Sequence, residues 1–163
     1  MTNVVQLREV AETDLSILFE HQCDPEANRM ADFPARDWEA FTTHWARVLR
    51  DESAAKKTIL FDGQVAGHMG SFERFGSREV GYWLGREYWG KGITTQALTA
   101  FLVVDPTRPL LARVATHNVA SRRVLEKCGF VLFGEEVWFP EVGGEPSEDF
   151  ILKLYAETTF ESP

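Results

Sequence analysis

Trp83-Leu84-Gly85-Arg86-Glu87-Tyr88-Trp89-Gly90-Lys91-Gly92-Ile93-Thr94-Thr95 is the stretch on which the fold turns. The run Glu79 to Leu84 reads as a strand, and Gly92 to Val104 reads as a helix ended by Asp105-Pro106. Gly90 and Gly92 in the turn between them have no Cβ, so the backbone can take positive φ and approach a ligand closely. The first-turn N–H groups of the new helix lack internal partners and lie at the positive end of its dipole. Such a turn suits a phosphate or pyrophosphate, with Lys91 as a mobile cation beside it. An ordinary tight turn rich in glycine fits the same letters. The spacing is neither G-x-x-x-x-G-K-[ST] nor G-x-G-x-x-G after a first strand, which argues against a P-loop and a dinucleotide fold.

Working outward, Leu110 to Thr116 is a strand and Val119 to Cys128 a helix, with Gly129 as its C′ residue. The order strand, helix, strand predicts at least one parallel crossover. Upstream, Thr58 to Phe61 and Gln64 to Phe72 are strands joined at Asp62-Gly63, a hairpin signal. Val4 to Arg8 is a first strand. Thr13 or Asp14 caps a helix to about Cys23, which Asp24-Pro25 stops; Asp37 caps a second from Trp38 to about Arg50. Downstream, Phe130 to Phe133 and Glu148 to Tyr155 complete the strands. The sum is a mixed α/β layer fold in a single domain over residues 1–163.

The chain of 163 residues is 44% hydrophobic, enough for a real core, and carries a net charge of −8. No basic stripe is visible, so nucleic acid is a poor partner, whereas a cationic amine would be weakly attracted. Cys23 and Cys128 show no metal-ligand spacing, and no metal is expected. Met1 to Arg8 lacks the apolar run of a signal peptide, and no uncharged stretch reaches the roughly 20 residues of a membrane span. The expected location is cytoplasmic.

A second segment, Asn118-Val119-Ala120-Ser121-Arg122-Arg123-Val124-Leu125-Glu126-Lys127-Cys128-Gly129-Phe130, completes a pattern. With Glu79-Val80-Gly81-Tyr82-Trp83-Leu84 and Tyr88-Trp89-Gly90-Lys91-Gly92-Ile93, it resembles the coenzyme A-binding core of the GNAT superfamily of N-acetyltransferases. The likeness is to the branch that acetylates ribosomal-protein N-termini and related amines. The resemblance implies a mostly antiparallel sheet of six to seven strands, flanked by about four helices, whose fourth and fifth strands splay apart.

It also implies roles. Acetyl-coenzyme A is the co-substrate, its pantetheine arm lying between the splayed strands against backbone groups of Trp83 and Leu84. Its pyrophosphate would sit on the amides from Trp89 through Gly90, Lys91, Gly92 and Ile93 to Thr94, with Asn118 holding the arm from the opposite strand end. A neutral amine attacks the thioester directly, so neither cysteine is a nucleophile. Glu79 is the first candidate for the base, directly or through a water, and Ser121 for protonating the departing thiolate. A solvated strand-edge carboxylate and a helix cap are the plainer readings of those two. Asn118 can be a helix cap as well as a ligand residue.

Three positions depart from the pattern. Many members have Arg or Gln where this chain has Glu87, with Arg86 adjacent. Many use a Tyr as thiolate acid at the position held here by Leu125. The second acidic residue of the ribosomal branch falls at Pro140, beside Glu141. His68 and His117 are weaker candidates. The acceptor, a small-molecule amine or a protein N-terminus, would meet Asp32, Phe33, Trp38, Trp138, Phe139, Glu141 and Glu145. A homodimer through the late hairpin is a further expectation. The alternative to an enzyme is a non-catalytic acyl-coenzyme A sensor, and a plain interaction module is a third reading.

Overall fold

The computed structural model describes residues 3–139 and 145–157. Seven strands form one sheet: β1 Val5–Glu9, β2 Ala55–Phe61, β3 Gln64–Arg74, β4 Ser77–Leu84, β5 Leu110–Ala115, β6 Val131–Trp138 and β7 Ser147–Leu154. Their order is β1-β2-β3-β4-β5-β7-β6. Every neighbouring pair is antiparallel except β4 and β5, which are parallel and joined by α4 (Ile93–Val104), the crossover expected from sequence.

That parallel pair is short. Only Glu79 and Val80 face partners, Leu111 and Ala112; beyond them the strands separate. Gly81 to Leu84 stays paired to β3 on its other side, and Arg113 to Ala115 stays paired to β7. The sheet therefore opens into a wedge at its centre, as the resemblance implied.

Alternation along β4 sends Val80, Tyr82 and Leu84 to one face, where α4 and α5 (Val119–Lys127) bury them with Leu98, Phe101 and Leu125. Burying a side chain the size of Leu125 or Phe101 is worth about 1.5–3 kcal/mol, so this layer anchors both helices that border the wedge. The opposite face carries α1 (Leu15–Gln22) and α3 (Trp38–Arg50), packed through Leu18, Phe41 and Trp45. Trp83 reaches that side and donates its indole N–H to the His21 carbonyl at 3.2 Å.

Helix α3 starts where expected, the Asp37 side chain accepting from the Ala40 amide. At α1 the expectation changes. Asp14 holds the cap position without capping and instead accepts from Arg8 at 2.7 Å and buried Thr58 at 2.8 Å. The Arg8 hydrogen bond, working against burial, brings its carboxyl down to about 2.

Asp24-Pro25 ends α1 and also begins a further helix, α2 (Pro25–Ala31), which the sequence reading missed. Asp24 accepts from Glu26 N at 3.1 Å and proline occupies the first turn, where its missing N–H costs nothing. Among the described residues five α-helices flank the sheet, in keeping with the expected architecture. No helix among the described residues is long and apolar enough to cross a membrane.

Candidate active site

The wedge leads into a cleft of about 460 Å³ bounded by α2, the C-terminal half of β4, the turn into α4, and α5. Each wall has a physical cause. Gly90 and Gly92 both have φ of +74°, the left-handed region, and a Cβ built on either would meet nothing within 4 Å. The glycines therefore answer a backbone requirement and not a lack of room. Gly92 is the N-cap of α4, and no side chain caps that terminus. Ile93, Thr94 and Thr95 of the first turn line the cleft, beside the dipole's positive end, where an anion would be stabilised.

Trp83, Leu84, Trp89, Gly90, Gly92, Ile93, Thr94, Asn118 and Ser121 all border this one cleft. Three details add to the expectation. The Leu84 carbonyl already accepts the Trp89 indole N–H at 3.0 Å, which leaves one lone pair for a further donor. Lys91 does not line the cleft; its ammonium lies 5.9 Å from the Phe61 ring. Arg86 turns the other way, to Asp24 at 3.4 Å.

Cations reach the cleft from α5 instead. Arg123 and Lys127, one turn apart, line it, and neither enters an ion pair among the described residues. The i, i+4 spacing after Asn118 was the signal available in the sequence.

Asn118 caps α5, its Oδ1 accepting from Ser121 N at 3.2 Å. The cap of α5 is therefore Asn118 and not Ser121. The Ser121 hydroxyl lies 2.7 Å from the Tyr82 phenol oxygen, and both residues line the cleft. Burial, only partly offset by the Ser121 hydrogen bond, pushes the phenol up to about 12. Tyr82 was quoted in the sequence motif without a role. Leu125 is 1% exposed and belongs to the core.

Glu79 is buried and does not border the cleft. One carboxylate oxygen accepts from Arg113 Nε at 2.8 Å, and the other from Arg74 at 3.4 Å. Arg113 also holds Glu136 at 2.5 Å. Asp149 on β7, paired across from Ala115 and Glu136, shares that face of the sheet. Burial raises its carboxyl above the usual range, and Asp32 and Glu136 add to this, while the Ser147 hydroxyl at 3.3 Å and Arg113 oppose it.

His117 is tied to the Arg29 carbonyl at 2.7 Å, and His68 packs edge-on against Trp45 with centroids 5.0 Å apart. Trp38 is exposed and packs edge-on with Phe19. Pro140 and Glu141 lie outside the described residues, as does the side chain of Trp138. No group of side chains that could hold a metal ion occurs among the described residues.

A mostly antiparallel sheet, opened at one short parallel pair over a glycine turn and an uncapped helix start, defines an acetyltransferase-type fold. The chain belongs to the acetyltransferase (GNAT) domain family, whose sequence model matches residues 5–131. It is 30% identical over 104 residues to YdaF of Bacillus subtilis (strain 168), provisionally named a ribosomal N-acetyltransferase. That alignment spans 60% of this chain and 57% of the relative.

Among solved structures, the spermidine N-acetyltransferase of Vibrio cholerae in complex with CoA and spermine superposes with a TM-score of 0.78 at 16% identity. It covers 93% of this chain and 95% of that one. RimL, the ribosomal L7/L12 alpha-N-protein acetyltransferase in complex with coenzyme A, superposes with a TM-score of 0.77 at 20% identity, covering 94% and 95%. Both likenesses are of fold.

Proposed function

We propose that this chain transfers an acetyl group from acetyl-coenzyme A to a primary amine by direct attack, without a covalent enzyme intermediate. The observation that carries this is the coincidence of three features in one cleft: the wedge between β4 and β5, the uncapped start of α4, and the Ser121 hydroxyl. The wedge can accept an extended arm, with Trp83 on one side and Asn118 on the other. The amides from Trp89 to Thr94 suit a pyrophosphate. Arg123 and Lys127 add positive charge in an otherwise acidic chain. Acetyl-coenzyme A supplies the thioester; the residues hold it, exclude water and manage protons.

Attack needs a neutral nitrogen, stabilisation of the oxyanion and a donor for the leaving sulfur. Ser121 is the donor. Glu79 is the base through a water, since both of its oxygens are engaged by guanidinium groups. A second reading assigns the base to Asp149, because burial raises its carboxyl and no ion pair need be broken to free it. The acid limb of kcat/KM separates them: it disappears in Glu79→Gln under the first reading and in Asp149→Asn under the second.

Asp32, Glu136 and Asp149 make that face of the sheet favourable to a cationic acceptor. The two neighbours named above act on a polyamine and on a protein N-terminus, so both classes belong in the acceptor panel. The proposed homodimer would use β6, an edge strand with Leu132, Phe133 and Val137 exposed, and sedimentation would read it.

The test is a calorimetric titration of acetyl-coenzyme A, followed by thiol release with the amine panel. Binding plus release with one amine class supports the enzyme. Binding without release across peptides, polyamines and small amines favours the sensor, and absence of binding overturns the assignment.

A further inference from the structure

Two hydroxyls 2.7 Å apart share one hydrogen bond, and only one of them can be its donor. In the Tyr82–Ser121 pair the choice decides what the cleft receives. If Ser121 donates to the phenol oxygen, its proton points away from the wedge and its lone pairs face it. If Tyr82 donates, the Ser121 proton is released toward the wedge.

The surroundings favour the second arrangement. Tyr82 lies on the α5 face of β4, its ring packed against the buried cluster around Leu98 and Leu125. Its Oη has two neighbours from Ser121, the hydroxyl at 2.7 Å and the carbonyl at 3.4 Å, and the carbonyl can only accept. A phenol proton directed at Ser121 satisfies the close oxygen and leans toward the distant one. At 3.4 Å the carbonyl is a poor sole acceptor, so donation to the hydroxyl at 2.7 Å is the better bond. Burial also keeps that proton in place through the neutral range. The Ser121 backbone is itself fixed, because its amide is held by the Asn118 cap.

We propose that Tyr82 is a positioning residue that fixes the Ser121 hydroxyl as a donor aimed into the wedge, at the sulfur leaving the thioester. This rests on the assignment of Ser121 made above. In the step concerned the C–N bond forms, the C–S bond breaks and its electron pair goes to sulfur. The proton lost by nitrogen goes to the base and on to water, the Ser121 proton passes to sulfur, and water in the wedge returns one to the Ser121 oxygen, so the step balances and neither hydroxyl is consumed. Ser121 donates to the sulfur as charge builds, and Tyr82 removes the rotamers in which it would not.

The experiment is a double-mutant cycle on the full chain: wild type, Tyr82→Phe, Ser121→Ala and the double variant. Acetyl-coenzyme A affinity is read by calorimetry, kcat by thiol release and folding by thermal melting. Tyr82→Phe is expected to bind within about twofold of wild type and to lose roughly 3- to 10-fold in kcat. In the Ser121→Ala background it should cost nothing further, because the two act as one unit. Full additivity in kcat would overturn the proposal, since a structural role would be felt equally in both backgrounds. An unchanged kcat in Tyr82→Phe, with a fall in Ser121→Ala, would also overturn it while leaving Ser121 in place. An unchanged kcat in Ser121→Ala would remove the underlying assignment itself.

Discussion

At the scale of single residues, the chain spends its unusual conformations where a ligand would lie. Gly92 has φ of +74° with open space around its missing Cβ. Gly92→Ala should therefore cost about 1–2 kcal/mol through backbone strain alone, read by urea unfolding. Gly92→Asp adds a carboxylate to the anion seat, and acetyl-coenzyme A binding should be lost in titration while the fold persists. Unchanged affinity would remove the turn from the site. Glu79 behaves differently. Its carboxylate is buried against Arg113 and Arg74, so Glu79→Gln should destabilise by about 1–3 kcal/mol in the same unfolding measurement. Arg113 keeps Glu136, which limits the loss.

At the scale of elements, Asn118 is the cap of α5 as well as a wall of the cleft. Asn118→Ala should lose about 1 kcal/mol of stability and also weaken acetyl-coenzyme A binding; loss of stability alone would leave it a cap only. Most elements were legible because their signals are local: Asp37 before α3, Asp62-Gly63 between β2 and β3, Gly129 after α5. Helix α2 was not, since Asp24-Pro25 is equally a stop for one helix and a start for the next. The seven-residue piece between them has too few turns to show a period. The glycine turn, Asn118 and Ser121 were readable because they belong to contiguous motifs. The partners of Glu79 were not, because Arg113 lies 34 positions away in sequence and meets it only through the β4–β5 register. The Tyr82–Ser121 contact spans 39 positions for the same reason.

At the scale of the whole molecule, net charge says little about acid stability; buried imidazoles say more. His44 is held down to about 4 by burial and by Arg36 and Arg47, and His68 to about 4 by burial and by His21 and His44. Burial lowers His21 as well, against Glu87 and Glu20. In the unfolded chain these groups take protons near pH 6.5, whereas in the folded chain His44 and His68 refuse theirs until about pH 4. Between those values the unfolded state binds more protons, so stability rises with pH and falls on acidification. Each fully titrating histidine contributes a slope of up to about 1.4 kcal/mol per pH unit, and His44, being only half buried, contributes less. Carboxylates act lower. Asp14 is depressed chiefly by the Arg8 hydrogen bond. For Asp105, hydrogen bonds from Ser71, Thr107 and Arg78 outweigh burial. Both stabilise above the normal carboxylate range and lose that effect only as pH falls below about 4. Urea unfolding at pH 7.5, 6.0, 5.0 and 4.5 should show a loss beginning near pH 6.5, above the range in which Asp14 and Asp105 act. His68→Gln should flatten that slope by about one histidine's share whatever it does to stability at pH 7.5. An unchanged slope would mean that His68 takes its proton in the folded chain as readily as in the unfolded one, and that the layer between α3 and β3 admits water.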